Sequence, residues 1–297
     1  MELDPLAIRN LLIWIAFALG GTIFLGATPS WMRCGAKSAD PSSAAAMFAL
    51  MLAGALTVLL TVNDGLLPLL RLQRTQYLYL ALCGLLSALT WLCLFTALTG
   101  GFVSKVIPVY GLGYILSTVA SHFLFGTAMG LWKICCIIVI LLGLVFIESD
   151  MKNIGGRLGI FYALIAALSA AGTALIKRGM LGEAFDDTLF HAGRSIAACV
   201  ILWAFVFARG KQKTLGDLSA RGWVGVSLAG LSLAGSYACD YYAAQRGEIS
   251  YLAPIGILTI LFVMLFARMF QKEKQTGSVV FGTLLVLLGQ FGILMGL

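Results

Sequence analysis

Ten stretches of roughly twenty apolar residues recur along this chain, near 8–32, 44–63, 76–98, 102–124, 129–147, 157–177, 189–208, 222–244, 248–270 and 277–296. A helix rises 1.5 Å per residue, so such a run matches the roughly 30 Å of hydrocarbon in a bilayer. Lipid offers no partner to backbone N–H and C=O groups, which leaves only helices and closed barrels as spanning structures. The runs here are long and continuous rather than alternating ten-residue pieces. The expectation is an all-α integral membrane protein with ten transmembrane helices. Composition agrees, because only 11% of residues are charged, against about 25% in a soluble domain.

The chain also repeats itself. Moving residues 80–143 forward by 146 positions, without a gap, lays Gly84 on Gly230, Ala88 on Ala234, Ala97 on Ala243 and Gly101 on Gly247. Ser104 then falls on Ser250 and Pro108 on Pro254, and Leu141-Leu142-Gly143 falls on Leu287-Leu288-Gly289. Six matches of Gly, Ala, Ser and Pro between Gly84 and Pro108 are too many for shared abundance alone. Two units follow, 1–150 and 151–297, joined by the polar segment 148–157. Five spans per unit is odd, so the second must lie upside down relative to the first. Inverted repeats of this kind hold small solutes where the halves meet.

Several alternatives are disfavoured. Residues 1–10 carry Glu2, Asp4 and Arg9 and no cleavage pattern, so the first span reads as a helix and not as a signal peptide. Seven cysteines, all but Cys34 in apolar runs, fit packing better than a disulfide framework or zinc cage. His122 and His191 stand apart, so no metal and no cofactor is expected. The net charge of +7 is scattered over short loops, which suits topology and anionic headgroups rather than nucleic acid. Neither H-E-x-x-H, G-x-S-x-G nor a P-loop occurs, so the chain does not read as an enzyme.

The stretches Leu94-Phe-Thr-Ala-Leu-Thr-Gly-Gly-Phe-Val-Ser-Lys-Val-Ile-Pro108 and Asp240-Tyr-Tyr-Ala-Ala-Gln-Arg-Gly-Glu-Ile-Ser-Tyr-Leu-Ala-Pro254 each end one span in a small-residue turn and open the next before a proline. With Glu273 after the ninth span and Arg194 early in the seventh, the chain resembles the drug/metabolite transporter superfamily, in its EamA-like ten-helix branch. The first half departs from that pattern, with Thr127 in the place of Glu273 and Phe48 in the place of Arg194. The resemblance implies export of amino acids and other metabolites, in a multi-pass protein of the bacterial inner membrane with cytoplasmic termini. Basic residues point the other way. Seven (Arg9, Arg71, Arg74, Lys133, Lys177, Arg178, Arg246) fall on the face of the termini and eleven on the opposite face, from Arg33 to Lys274.

Candidate site residues follow from chemistry that lipid tolerates poorly. A charge at the membrane centre costs about 2.5–3.5 kcal/mol even on insertion scales. Asp240 and Lys105 each lie about one turn inside a span, where they suit a substrate ammonium and a carboxylate, or in the case of Asp240 proton coupling. Interface snorkelling and an ion-pair network of Asp240 with Arg246 and Glu248 are the plainer readings. Trp91 with Phe95, and Tyr237 with Tyr241, share helical faces at i, i+4 and are candidates for cavity lining or for an aromatic belt. Pro108 and Pro254, softened in the first half by Gly111 and Gly113, are candidate hinges or cavity walls. Arg194 reads as the partner of Glu183, Asp186 or Asp187 in a structural turn, while Lys177 and Arg178 suit the headgroups. Gly289, Gly292 and Gly296 form a small-residue strip suited to packing within the bundle or across a homodimer. The expected function is alternating-access transport of a small metabolite such as an amino acid. Alternatives are an amine or quaternary ammonium held by cation–π contact, and flipping of a lipid-linked substrate.

Overall fold

A computed structural model describes residues 5–63, 65–127, 129–149, 154–182, 185–216, 219–245 and 252–295. Glu2, Asp4, Glu183, Arg246, Gly247, Glu248, Ser250 and Gly296, named above, lie outside the described residues. The first half contains α1 (Pro5–Ala36), α2 (Pro41–Asn63), the single turn α3 (Leu67–Leu70), α4 (Arg74–Gly100), α5 (Val103–Tyr110), α6 (Leu112–Phe125) and α7 (Leu131–Ser149). The second contains α8 (Ile154–Ile176), α9 (Asp187–Ala208), α10 (Ala220–Ala244), α11 (Leu252–Ile257), α12 (Thr259–Gln271) and α13 (Gly277–Met295). No strand occurs among the described residues.

Six helical stretches are long and apolar enough to cross a bilayer: Leu12–Ala36, Pro41–Asn63, Arg74–Gly100, Val103–Phe125, Leu158–Leu181 and Asp187–Ala208. Three shorter apolar helices lie at Leu131–Ile147, Ile255–Gln271 and Gly277–Ile293. The protein is a multi-pass, all-helical integral membrane protein.

Two expected spans are broken rather than continuous. Pro108 has no N–H to give to the carbonyl four residues back, and the helix tightens just beyond it. Gly111 N still reaches Ile107 O (2.9 Å), but Tyr114 N turns to Gly111 O (3.1 Å). Four residues after Pro254 the same thing happens, with Leu258 N on Ile255 O and Leu261 N on Leu258 O, both 3.0 Å. Helix starts are set by side chains that accept otherwise orphaned N–H groups. Asp186 accepts from Leu189 N (2.7 Å) and Ser219 from Gly222 N (3.2 Å).

The bundle is assembled by few helix pairs: α1 on α10 and α12, α2 on α9 and α10, α4 on α8 and α9, α6 on α8, and α7 on α13. Phe48 lies at the centre, fully buried, with Trp91 and Phe95 edge-on to it at centroid distances of 5.3 and 5.6 Å. Such edge contacts suit the ring quadrupole. The glycine strip of the last helix is taken up inside the chain. Gly289 approaches the Cys136 carbonyl and Ile140 of α7, and Gly292 approaches Cys136.

At one membrane face, Asp40 opens α2 by accepting from Ser42 N (3.1 Å) and holds Lys211 Nζ at 2.7 Å. Burial raises the Asp40 carboxyl, but the bonds from Lys211 and Ser42 outweigh it and hold the group below its ordinary value. A folded-state value below the unfolded one gives stability that is present at neutral pH and is lost as pH falls through the folded value. With Lys211 39% exposed, the pair contributes at most about 1 kcal/mol. Lys211→Met should therefore lower the unfolding temperature slightly at pH 7 and not at all well below about pH 4, as read by fluorescence melting in detergent.

Candidate functional site

Lys272 is the one non-glycine with positive φ (52°) among the described residues. A side chain in this left-handed region costs about 1–2 kcal/mol, and here it ends α12 and turns the next residue into the bundle. That residue is Glu273, whose side chain is only 1% exposed. Its carboxylate pairs with the Arg33 guanidinium of α1. It also accepts from Val103 N (2.8 Å), Ser104 N (3.1 Å) and Ser104 Oγ (2.7 Å) at the start of α5. Those N–H groups belong to the first turn of a helix and have no partner within it. Arg33 lies over the Phe102 ring at 5.1 Å, and Lys105 over the same ring at 5.7 Å. One carboxylate thus ties together α1, the end of α12 and the α4–α5 turn.

The second cluster surrounds Arg194, which is 8% exposed. Its Nη1 donates to Ser87 Oγ of α4 (2.8 Å) and its Nη2 to Tyr237 Oη of α10 (2.7 Å). Both Nε (3.2 Å) and Nη2 (3.1 Å) face His191 Nδ1. Arginine has only donors, so His191 is neutral here and carries its proton on Nε2. The His191 ring stacks on Tyr237 at 3.9 Å. Asp187 is taken by Lys177 instead. Arg194 therefore has no carboxylate partner among the described residues: the expected turn pairing is not made with Asp186 or Asp187, and Glu183, the third candidate, lies outside the described residues.

A third feature is a recess of about 480 Å³ between α6, α7, α8 and α13. Ser117, Thr118 and Ser121 of α6 line it, with Thr127, Lys133 and Arg178.

The other candidate residues distribute as follows. Asp240 is exposed on α10 and leans on α1, where a Cβ on Gly21 would sit 2.7 Å from its Oδ1. Lys105 is half-buried in the first turn of α5, beside the Glu273 junction. Gly21 and Arg33 mark these two places on α1, and twelve residues separate them, about 18 Å of helix. The structure does not bring Lys105 and Asp240 together. Tyr237, one turn before Asp240 on α10, accepts the bond from Arg194 of α9. Trp91 and Phe95 are packed in the core against Phe48. Tyr241 is half-buried and edge-on to Tyr242 at 5.3 Å. Pro108 is buried at the break, and Gly111 joins α5 to α6. Gly113 is a packing contact, since a Cβ there would meet the Ala167 carbonyl at 2.8 Å. Pro254 lies in α11. Sequence reasoning overlooked Arg33 because it ends an apolar run and looks like a loop charge. The signal was its position within the last turn of α1.

Comparison with known proteins decides the family. The model of the EamA-like transporter family matches twice, over residues 12–149 and 157–295. The chain belongs to the EamA-like transporter family. It is therefore a membrane transporter for some small substrate. A protein of Sinorhizobium sp. called an uncharacterized transporter in the cobO 3' region is 29% identical over 114 residues, which are 38% of this transporter and 80% of that protein. A solved crystal structure shares the fold at a TM-score of 0.66 with 16% identity, covering 96% of this transporter and 97% of the other chain.

Proposed function

We propose that this transporter exports a small amino-acid-like metabolite by alternating access between two inverted five-helix repeats, 1–150 and 151–297, with ten membrane crossings. The two separate family matches support the repeat. So does the helix packing, which comes in matched sets under the 146-residue shift. The α1–α10 contact answers to α8–α4, α2–α10 to α9–α4, and α1–α12 to α8–α6, while α2–α9 and α7–α13 are their own counterparts. The left-handed turns match as well, with Gly126 (φ 66°) in the place of Lys272.

The observation that carries alternating access is the contrast between matched ends. Carried forward by 146 positions, Ser117, Thr118, Ser121, Thr127 and Lys133 of the recess become Val263, Met264, Ala267, Glu273 and Val279. Carried back, Arg178 becomes Met32. All six counterparts are buried. One end is thus closed around Glu273 while its counterpart is an open recess. An alternating-access protein exchanges these two arrangements, closing the recess as the Glu273 junction opens.

Labelling tests this directly. In a cysteine-free background, Ser117→Cys should react quickly with an impermeant maleimide in proteoliposomes and Val263→Cys slowly. Adding Glu273→Gln should reverse the order, with a change of at least about tenfold at each position, equivalent to about 1.4 kcal/mol in the opening equilibrium. Equal rates that ignore Glu273 would mean the two ends do not exchange.

A further inference from the structure

Resting on the transport reading above, we infer that Arg194, Ser87, Tyr237 and His191 form a carboxylate-binding site, so that the cargo is a small molecule bearing one carboxylate. The argument is an inventory of donors. Ser87 Oγ and Tyr237 Oη both accept from Arg194, so the proton of each hydroxyl points elsewhere. Neither proton has an acceptor among the described residues. His191 accepts at Nδ1, so its Nε2–H is likewise without a protein acceptor among them. Three uncommitted donors meet the charged Arg194 with no anion supplied by the described protein. Buried polar groups are ordinarily matched, and a charge within a span is costly unless a partner answers it. A surplus of donors calls for a ligand that only accepts, and the two oxygens of a carboxylate can take the one N–H left on Arg194 Nη1 together with the hydroxyl and imidazole protons.

The site lies between the repeats, because Ser87 belongs to the first and the other three residues to the second. A ligand there would feel any movement of one repeat against the other. Access runs past His191 and Tyr237, which are only half-buried. Charge limits the ligand to a monoanion. The next cation, Lys177, shares the Phe190 ring with Arg194 at 5.2 and 5.5 Å but is already paired with Asp187. A phosphate dianion would bring one negative charge more than the site answers. Asp240, three residues after Tyr237 and about 4.5 Å further along the helix axis, is placed to receive an ammonium when the cargo has one. This assigns to Arg194 the carboxylate role that the sequence suggested for Lys105.

The test is efflux from proteoliposomes loaded with L-amino acids, the matching 2-oxo acids and the matching amino amides, with mass-spectrometric readout. Acids should leave and amides stay. Arg194→Gln should reduce acid efflux at least about 100-fold, and Tyr237→Phe or Ser87→Ala about tenfold, the scale of losing hydrogen bonds to a charged group. Arg194→Lys should retain part of the flux with weakened discrimination between acid and amide, which a purely structural arginine would not produce. Tyr237→Phe and Ser87→Ala keep the charge, so the inference stays testable if Arg194→Gln fails to fold. Amides leaving as readily as acids would overturn the carboxylate site and leave transport standing. No acid or amide leaving, with the labelled ends still exchanging, would also overturn it while sparing transport. Static ends and no efflux would remove both readings.

Discussion

Glu273→Gln should destabilise the folded protein by about 3–5 kcal/mol, the loss expected when one member of a buried ion pair is removed. The carboxylate accepts from Arg33, from two backbone N–H groups and from a hydroxyl. Glutamine keeps one acceptor oxygen and turns an NH₂ group toward donors at Val103 and Ser104. It also leaves Arg33, 6% exposed, as an uncompensated buried cation. Arg33→Met should cost less, because the remaining carboxylate keeps three donors and the helix start that it caps. The double variant should recover part of the combined loss, since neither buried charge is then left facing the other's absence. A double-mutant cycle on urea or thermal unfolding in detergent measures this coupling. A value above about 1.5 kcal/mol is expected for residues in one network. Coupling below about 0.5 kcal/mol would mean that Arg33 and Glu273 act independently, and the closed end would then need another cause.

That junction also shows what the sequence could and could not express. The apolar runs gave the helices, because lipid enforces internal hydrogen bonding and makes run length informative. Each proline-led break followed from a missing N–H. The 146-residue shift connected Gly84 with Gly230, and both are close helix contacts. Side-chain partnerships were less legible, since they depend on which helices meet. Arg194 looked like a turn residue because Asp186 and Asp187 are near in sequence. In the folded chain one caps α9 and the other pairs with Lys177, so Arg194 turns to Ser87, which is 107 residues away. Trp91 and Phe95 were placed on the right face, but sequence alone did not reveal that Phe48 of another helix fills the space they border. The pairing of Glu273 with Arg33 spans 240 residues, beyond any local pattern.

The second large effect concerns helix approach. Gly84→Val and Gly230→Val should each lower stability by about 3 kcal/mol or more, whereas Gly54→Ala should change it little or raise it by up to about 1 kcal/mol. A Cβ at Gly84 would lie 3.0 Å from Ala198 N of α9, and one at Gly230 would lie 2.7 Å from Met51 Cβ and 3.0 Å from Phe48 O of α2. These neighbours are backbone atoms or the root of a side chain, so no rotamer change relieves the contact. The helices themselves must separate. In lipid that is costly, because close packing rather than exclusion of water holds such helices together. A Cβ at Gly54 would have no neighbour within 4 Å outside its own helix, so alanine there meets only that helix and gains in helical propensity. The nearest neighbours of Gly84 and Gly230 are different residues on different helices, so their effects should add. Both lie where a helix from the first half of the chain meets one from the second, α4 against α9 and α10 against α2. A sliding movement between the two halves of the chain would have to pass these contacts. Under the proposed alternating access, valine at either position should slow exchange at Ser117→Cys and Val263→Cys beyond what its stability loss explains, whereas exchange at the wild-type rate in a folded Gly84→Val protein would show that the movement does not cross these contacts.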